Sequence, residues 1–258
     1  MIPALRHNGG MDHATPESPG APRGAQRVLM LGGTGTIGRA TVAALVARGH
    51  RVTCLVRPAS CAEARRHLPS SAEIRPCEIT DPGALVRDGF CGESFDALVS
   101  CLASRTGAPE DAWAIDYGAH SRALGAARGA GISHVVLLSA ICVQLPRLDF
   151  QKAKLAFEEE LVRSGLTFSI VRPTAYFKSL SGQIDRVRRG KPYLVFGDGR
   201  LTACKPIGDA DLGAYLAGCL GDPRRRNRVL PIGGPGPAIS RWLRGRSRSH
   251  PATAGGHR

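Results

Sequence analysis

The sequence predicts an α/β fold built on a doubly wound parallel sheet. Seven short apolar runs recur along the 258 residues and alternate with longer stretches whose apolar residues follow helical spacing. A glycine-rich segment stands where the first apolar run passes into the first helical stretch, which is the arrangement of a nucleotide-binding βαβ unit. The chain is 43% hydrophobic, so it can bury one sizeable core.

The predicted elements follow in order. The first strand is a buried apolar run, and the helix after Gly38 ends before Gly49. Two further helices are predicted from Trp113 to Arg128 and from Phe150 to Arg163. The seven predicted strands are Val28–Leu31, Val52–Val56, Glu73–Ile79, Phe95–Leu102, His134–Ser139, Phe168–Arg172 and Arg228–Ile232.

The glycine-rich segment between the first strand and the first helix predicts a dinucleotide pyrophosphate site. Small residues allow a tight turn, and the following helix directs its free N–H groups and the positive end of its dipole at phosphate. A glycine-rich turn in an α/β protein without nucleotide is the alternative. The cofactor-binding residues predicted here are Gly32, Thr34, Gly35, Thr36, Ile37 and Gly38.

Two arginines near this segment favour NADPH over NADH. NAD-selective sites usually carry an acid after the second strand, whereas this chain has Arg57 there. A cation at that place accommodates a 2′-phosphate, and Arg39, next to Gly38, can close the other side of the same phosphate. The alternative is that both arginines are solvated surface residues.

Residues at the ends of the next two strands complete the predicted cofactor crevice, because α/β sheets bind ligands at the carboxyl ends of their strands. Asp81 can accept a hydrogen bond from the adenine amino group. Asp81 can equally serve as a helix N-cap before Pro82, and the two roles do not exclude each other. The small turn Cys101, Leu102 and Ala103 is expected to lie along the ribose–nicotinamide half.

Composition excludes several other classes. The eight cysteines form no C-x-x-C pair and have no histidine at metal spacing, so we expect reduced, mostly buried thiols in a cytoplasmic protein without a metal site. The formal charge of +14 is concentrated after residue 221, where the sequence contains nine arginines and one acidic residue. No apolar run approaches the roughly 20 residues that span a bilayer.

We expect a disordered leader over 1–26, an NADP-binding domain over 27–175, a substrate-side segment over 176–239 interleaved with the last strands, and a disordered basic tail over 240–258.

The helix after the fifth predicted strand carries an altered catalytic pair. Short-chain dehydrogenases place Tyr-x-x-x-Lys there, with the tyrosine as proton donor and the lysine holding the ribose. This chain has Phe150 in the place of the tyrosine and retains Lys154. Carbonyl–alcohol chemistry, which moves a proton through that oxygen, is therefore disfavoured. The alternative for Lys154 is an ordinary surface position on the helix.

At this point the sequence closely resembles one family, the NADPH-dependent divinyl chlorophyllide 8-vinyl reductases, a branch of the atypical short-chain dehydrogenases with an NAD(P)-binding Rossmann fold. The Arg-Pro-Thr-Ala and Ala-Cys-Lys-Pro-Ile blocks are the most specific part of the likeness, which runs from about Arg27 to Ile239. The blocks that carry it are Gly32–Gly38, 55–58, 148–161, 171–180, 190–207 and 231–236.

The resemblance implies hydride delivery from NADPH to the 8-vinyl group of divinyl (proto)chlorophyllide in chlorophyll and bacteriochlorophyll biosynthesis. When a vinyl group conjugated to a macrocycle accepts a hydride, the negative charge is delocalised over the macrocycle. This reaction therefore does not need the tyrosine. The proton comes from water or a side chain. Residues assigned through the resemblance are Lys154, Tyr176 and Lys178 as catalytic candidates, Lys154, Pro173 and Thr174 at the nicotinamide, and Phe150, Tyr176, Phe177 and Leu180 at the pigment. Ordinary core packing is the alternative for Phe177 and Leu180.

The likeness stops after Ile239, where the chain becomes rich in arginine and loses apolar periodicity. We expect that the reading frame shifts near this point, so that NADPH binding survives while pigment reduction is weakened or lost. The alternative function is a non-catalytic NADP-binding redox sensor. Specific nucleic-acid binding is not expected, because aromatic residues are only 5% and interleave with no basic patch. The expected substrate is a tetrapyrrole, with loose association at photosynthetic membranes.

Overall fold

A computed structural model of the chain describes residues 12–13, 24–177, 184–192 and 205–235. Within them, all strands run parallel in one sheet with the order β1-β8-β7-β6-β5-β2-β3-β4. The strands are β1 (Asp12–His13), β2 (Arg27–Leu31), β3 (Arg51–Val56), β4 (Glu73–Pro76), β5 (Ala97–Ser100), β6 (His134–Leu138), β7 (Thr167–Pro173) and β8 (Arg228–Gly233).

Helices cover both faces of the sheet, which confirms the predicted doubly wound α/β fold. Two helices contain π-helical stretches. Leu85–Phe90 continues α3, and Ala112–Ala119 joins α4 to α5. The α-helices are α1 (Thr36–Ala47), α2 (Cys61–His67), α3 (Pro82–Ala84), α4 (Pro109–Asp111), α5 (His120–Gly129), α6 (Asp149–Arg163), α7 (Ile184–Arg188) and α8 (Asp209–Gly218), with short 3₁₀ turns at Pro58–Ser60, Ile141–Gln144 and Pro223–Arg225.

Two strands are shorter than the sequence predicts. The expected Glu73–Ile79 ends at Pro76, and the expected Phe95–Leu102 covers only Ala97–Ser100. Ile79 and Phe95 are buried all the same, because the chain leaves the sheet while its side chains still face the core. The Phe95 N–H, for example, donates to the Ala130 carbonyl, outside the strands. Apolar runs therefore predicted burial correctly and overestimated strand length.

The core consists of two layers, one on each face of the sheet. Alternate residues of the central strand β2 point to opposite faces, so Met30 joins the layer under α1, α2 and α8 while Leu29 joins the layer under α5 and α6. This explains why β2 is apolar after Arg27, since neither face of a parallel sheet is exposed to water.

The strand order reverses between β2 and β5. The chain moves from β2 outward through β3 and β4 and then returns to place β5 on the other side of β2. The connections after β2 and β5 therefore diverge to opposite faces and leave a crevice at the carboxyl ends of these two strands. This crevice fixes the position of the candidate site.

The last described segment belongs to the same body. Strand β8 pairs with β7, and α8 packs against α1, where a Cβ on Gly213 would lie 2.6 Å from the Ala40 carbonyl carbon. Within the predicted leader, Asp12–His13 pairs with β8; the rest of that leader and the predicted basic tail lie outside the described residues, so both remain predictions. No helix in the described part of the chain has the length and apolar character to cross a bilayer.

Candidate functional site

The turn after β2 is built for close backbone approach. Gly32 has φ +72°, and a Cβ there would lie 2.5 Å from the Leu102 nitrogen. A Cβ on Gly38 would lie 2.0 Å from the Gly32 carbonyl oxygen. Packing within the protein therefore requires glycine at both positions.

Gly35 has a different reason to be glycine. A Cβ at this position would come only as near as 3.5 Å to the Gly32 carbonyl oxygen, which is an ordinary contact. Gly35 precedes α1 as its N-cap, and no side chain caps the helix there. The first turn of α1 carries no acidic residue and includes Thr36, Ile37 and Gly38. A ligand phosphate at this helix end accounts for the glycine, and the cradle fits a dinucleotide.

The two arginines predicted to select NADPH lie at this end of the sheet, and they differ in their contacts. The Arg39 Nε donates to the Thr34 carbonyl at 2.8 Å, and its guanidinium forms an ion pair with Glu63 at 3.2 Å. Arg57 follows β3 and is exposed, and among the described residues its side chain has no ion-pair partner. Arg57 is therefore available to an anionic ligand, whereas Arg39 is already held by an acid.

Asp81 serves as a helix N-cap, as one of its two predicted roles requires. Its Oδ1 accepts a hydrogen bond from the Gly83 N–H at 2.8 Å, and the side chain is exposed at the end of the β4 connection. The adenine contact predicted for Asp81 stays a prediction.

The turn after β5 is held against the glycine segment by a buried histidine. The His120 Nδ1 lies 3.0 Å from the Ile115 carbonyl oxygen, so Nδ1–H donates to that carbonyl and Nε2 accepts from the Ser100 hydroxyl at 2.7 Å. The Ser100 oxygen accepts in turn from the Leu102 N–H at 3.3 Å. Burial, followed by the charge of Lys154, lowers the pKa of His120 to about 4, so the ring is neutral at pH 7.

Cys101 and Ala103 stand in the same turn and face different surroundings. The Cys101 sulfur lies 3.6 Å from the Thr41 hydroxyl on α1, and burial raises the pKa of this thiol to about 12. Cys101 is therefore an unreactive thiol between the turn and α1. Ala103 is exposed and can border the crevice without blocking it.

The Lys154 side chain is mostly buried, which excludes its alternative as an ordinary surface helix residue. It is 12% exposed, and Nζ lies 2.9 Å from the Oδ1 of Asp116, whose side chain is 1% exposed. Lys154 lies on α6, whose first turn is fixed by a side chain. The Gln151 carboxamide oxygen accepts hydrogen bonds from the N–H groups of Arg147 and Leu148. An ammonium has three donors, so Asp116 leaves two for a ligand hydroxyl pair.

Two buried polar atoms at this end of the sheet have no hydrogen-bond partner in the described part of the chain. One is the Oγ of Ser139, directly after β6, and the other is the Oδ1 of Asp209, in the first turn of α8. Buried polar atoms rarely stay unpaired, so both fit contacts with a bound ligand. The sequence alone does not point to these two residues or to Asp116 and His120, since none of the four belongs to a recognised motif.

The end of β7 forms the wall opposite the glycine segment. The Thr174 hydroxyl donates to the Lys205 carbonyl and its N–H donates to the Ile232 carbonyl at 2.9 Å, so Pro173 and Thr174 tie β7 to β8. Tyr176 is half-buried and pairs with Ile207 in an isolated parallel bridge. Burial raises the pKa of its phenol, and the charge of Asp209 adds to this.

The predicted pigment-binding residues are only partly described. Phe150 is half-buried near the start of α6, and Phe177 is 55% exposed, which excludes ordinary core packing as the reason for that residue. Lys178 and Leu180 lie outside the described residues. Their roles stay predictions.

Comparison with known proteins identifies the family of the chain. A family model described as NAD(P)H-binding matches residues 32–223, from the glycine segment to the end of α8 and beyond. The chain belongs to this NAD(P)H-binding family. The family match confirms the predicted dinucleotide cofactor, and the matched range contains the glycine segment, Lys154 and the β7 wall.

The chain is also similar in sequence to plant proteins of known name. The chain is 49% identical over 230 residues to "Divinyl chlorophyllide a 8-vinyl-reductase, chloroplastic" of Zea mays, a match that covers 85% of this chain and 57% of the relative. It is 45% identical to the protein of the same name from Arabidopsis thaliana, with 83% and 54% covered. These relatives confirm the resemblance found in the sequence, and the chain spans about half of their length.

Solved structures share the fold at low sequence identity. A UDP-glucose 4-epimerase from Thermotoga maritima matches with a TM-score of 0.71 and 18% identity, covering 85% of this chain and 82% of that chain. The NADPH complex of a quinone oxidoreductase from Escherichia coli matches with a TM-score of 0.65 and 17% identity, covering 82% and 70%. These likenesses confirm the Rossmann-type fold.

Proposed function

We propose that this chain uses NADPH to reduce the 8-vinyl group of a divinyl chlorophyllide or protochlorophyllide to an ethyl group. The observation that carries the proposal is the buried Lys154 at the crevice, four residues after Phe150 instead of a tyrosine. This arrangement keeps the residue that holds the cofactor and lacks the phenol of carbonyl reduction. The names of the 45–49% identical relatives support the same reaction.

The choice of NADPH rests on Arg57. An exposed guanidinium after β3, where NAD-selective sites carry an acid, provides a charge-assisted partner for the 2′-phosphate. Arg39 joins it when its ion pair with Glu63 opens. That ion pair lies at the surface, where such pairs contribute little, so opening it costs little free energy.

NADPH held by the glycine segment and Lys154 would supply a hydride for one vinyl carbon, and solvent would supply the proton for the other. Lys154 binds the ribose hydroxyls and orients the nicotinamide. The ion pair with Asp116 at 2.9 Å holds the Lys154 side chain at the crevice for this binding role. Tyr176 stays protonated because burial raises the pKa of its phenol, and it serves as a wall of the pocket.

Apolar side chains at the same edge suit a flat, apolar substrate. Leu145 and Leu148, between β6 and α6, are 77% and 57% exposed, and Phe177 follows β7 with 55% exposure. The carboxyl ends of neighbouring parallel strands meet at one edge of a sheet, so these residues border the crevice. A macrocycle that covers them would remove apolar surface from water.

The test is anaerobic incubation of the purified chain with NADPH and divinyl chlorophyllide, with the pigments separated by chromatography. We expect an 8-ethyl product and a matching shift of the Soret band. NADPH binding without any 8-ethyl product would contradict the proposal if it persists after a family-like C-terminus is restored, because the altered tail is itself expected to weaken pigment reduction. It would favour the alternative of a non-catalytic redox sensor.

A further inference from the structure

A buried carboxylate connects the two parts of the chain that approach the reacting end of the crevice. Asp116 contacts the Lys154 ammonium on α6 at 2.9 Å. The same carboxylate accepts from the Ser104 N–H at 3.3 and 3.4 Å from its two oxygens. Ser104 ends the turn that follows β5. One side chain therefore fixes both the lysine and the turn predicted to lie along the nicotinamide half.

The helix that carries Asp116 is unusual at this position. Ala112–Ala119 is π-helical, and π-helical turns are rare and occur frequently at functional sites. One residue after this stretch, His120 bonds to Ser100 and stacks on Phe157 of α6 with ring centroids 4.7 Å apart. The β5 turn and α6 are thus each held twice by this helix, once through Asp116 and once through His120.

The charges around Lys154 make Asp116 necessary. Among the described residues, Cys101 and His120 also lie near enough to respond to the charge of Lys154, and both are neutral at pH 7, because burial raises the pKa of the thiol to about 12 and lowers the pKa of the imidazole to about 4. Asp116 therefore compensates the buried ammonium. Without this carboxylate the ammonium would lose its ion-pair partner and would move toward water.

We propose that Asp116 is a positioning residue, which holds the Lys154 ammonium and the β5 turn in the geometry that binds the nicotinamide ribose. The inference rests on the NADPH site of the proposed function and does not depend on the identity of the pigment. Asp116 acts through Lys154, so replacing Asp116 should matter only while Lys154 is present.

The test is a double-mutant cycle on NADPH affinity, read from the fluorescence anisotropy of NADPH with the full chain. The variants are Asp116→Asn, Lys154→Met and the double variant. We expect each single change to raise the Kd about tenfold, and the double variant to differ from Lys154→Met by less than about twofold. If the two single effects multiply in the double variant, Asp116 acts independently of the lysine and the proposal is overturned.

A matched control comes from the same helix. Lys152 is two residues before Lys154, with a side chain that is 49% exposed and paired at 3.4 Å with Asp149. Lys152→Met by itself should leave the Kd for NADPH unchanged. In the Lys152→Met background, Asp116→Asn should still raise the Kd about tenfold. Loss of that effect in the Lys152→Met background would point to a general charge effect and overturn the proposal.

Thermal unfolding of each variant separates affinity from folding. If Asp116→Asn does not accumulate as folded protein, Asp116→Glu takes its place, since it keeps the charge and moves the carboxylate by one methylene. We then expect Asp116→Glu to raise the Kd while Lys154 is present and to leave it unchanged in the Lys154→Met background. A chain that binds NADPH but forms no 8-ethyl product, even with a family-like C-terminus restored, refutes the reaction and leaves this cycle readable, whereas a chain that does not bind NADPH refutes both.

Discussion

At the scale of single residues, the nucleotide turn depends on where a Cβ can be accommodated. Three glycines of one short segment have three different surroundings. A Cβ on Gly32 would clash with the turn after β5, and a Cβ on Gly38 would clash with Gly32. A Cβ on Gly35 would have no contact closer than 3.5 Å. Mutation can therefore separate the packing role of these glycines from their ligand role.

Gly38→Ala should lower both stability and cofactor affinity. Its Cβ would lie 2.0 Å from a backbone carbonyl oxygen, which can only be relieved by displacing the start of α1. We expect a loss of about 1–3 kcal/mol in the free energy of unfolding and weaker NADPH binding. Gly125→Ala in α5, where nothing lies within 4 Å, should be neutral or slightly stabilising. Chemical denaturation and NADPH titration of both variants check this, and equal effects would refute the argument.

Arg57→Glu should change cofactor preference. The guanidinium at this position is exposed and has no ion-pair partner among the described residues, so it is free to bind a 2′-phosphate. Losing a charge-assisted hydrogen bond should raise the Kd for NADPH by about tenfold to hundredfold while the Kd for NADH stays nearly constant. Arg51→Glu, at the exposed opposite end of β3, should change neither value. An unchanged preference in Arg57→Glu would show that Arg57 is a solvated surface residue.

At the scale of elements, α6 is fastened to the sheet by a buried ion pair. The Arg172 guanidinium of β7 donates to both carboxylate oxygens of Glu158, and these side chains are 5% and 3% exposed. Glu158 lies one helical turn after Lys154, so the pair also fixes the height of the lysine above β7.

Glu158→Gln should be strongly destabilising, because it leaves the Arg172 cation buried without its counter-charge. We expect a loss of about 3–5 kcal/mol in the free energy of unfolding by urea. The neighbouring pair Arg163–Glu159 is exposed on the same helix, and Glu159→Gln should cost about 0.5 kcal/mol or less. Similar losses for the two variants would contradict the assignment of Glu158 to a buried pair.

At the scale of the whole molecule, two buried histidines make the fold sensitive to acid. Burial lowers the pKa of His120 and of His134 to about 4, against about 6.5 in an unfolded chain. His134 lies in β6 and bonds to Ser169 of β7 at 3.0 Å, so the two histidines brace different strands. The unfolded chain binds more protons than the folded chain between these pKa values.

The free energy of unfolding should therefore be fully retained above about pH 6.5 and should fall as the pH drops toward 4. Each histidine accounts for about 3 kcal/mol across the window at most. Urea unfolding at pH 7.5, 5.5 and 4.5 measures this. His134→Gln should flatten the dependence, whereas His67→Gln, exposed at the end of α2, should not. Identical pH dependence in all three proteins would refute the linkage.

The sequence by itself determined seven of the eight strands of the sheet, the position of the glycine turn, the lysine on α6 and the class of cofactor, and it did not predict β1 (Asp12–His13). These features are encoded locally in the sequence. A continuous apolar run predicts a strand that is buried on both faces of the sheet, and the close contact at Gly38 leaves no room for a Cβ. The resemblance to the vinyl reductases rests on the same local blocks, and the named relatives bear it out.

Only the tertiary structure decided what surrounds the lysine. Asp116 and Lys154 are far apart in sequence, and no spacing rule pairs a carboxylate on one helix with an ammonium on another. The same holds for His120 with Ser100 and for Glu158 with Arg172. Such pairs form because burial makes each charge or polar group find a partner, and the partner available depends on how helices and strands come to lie side by side.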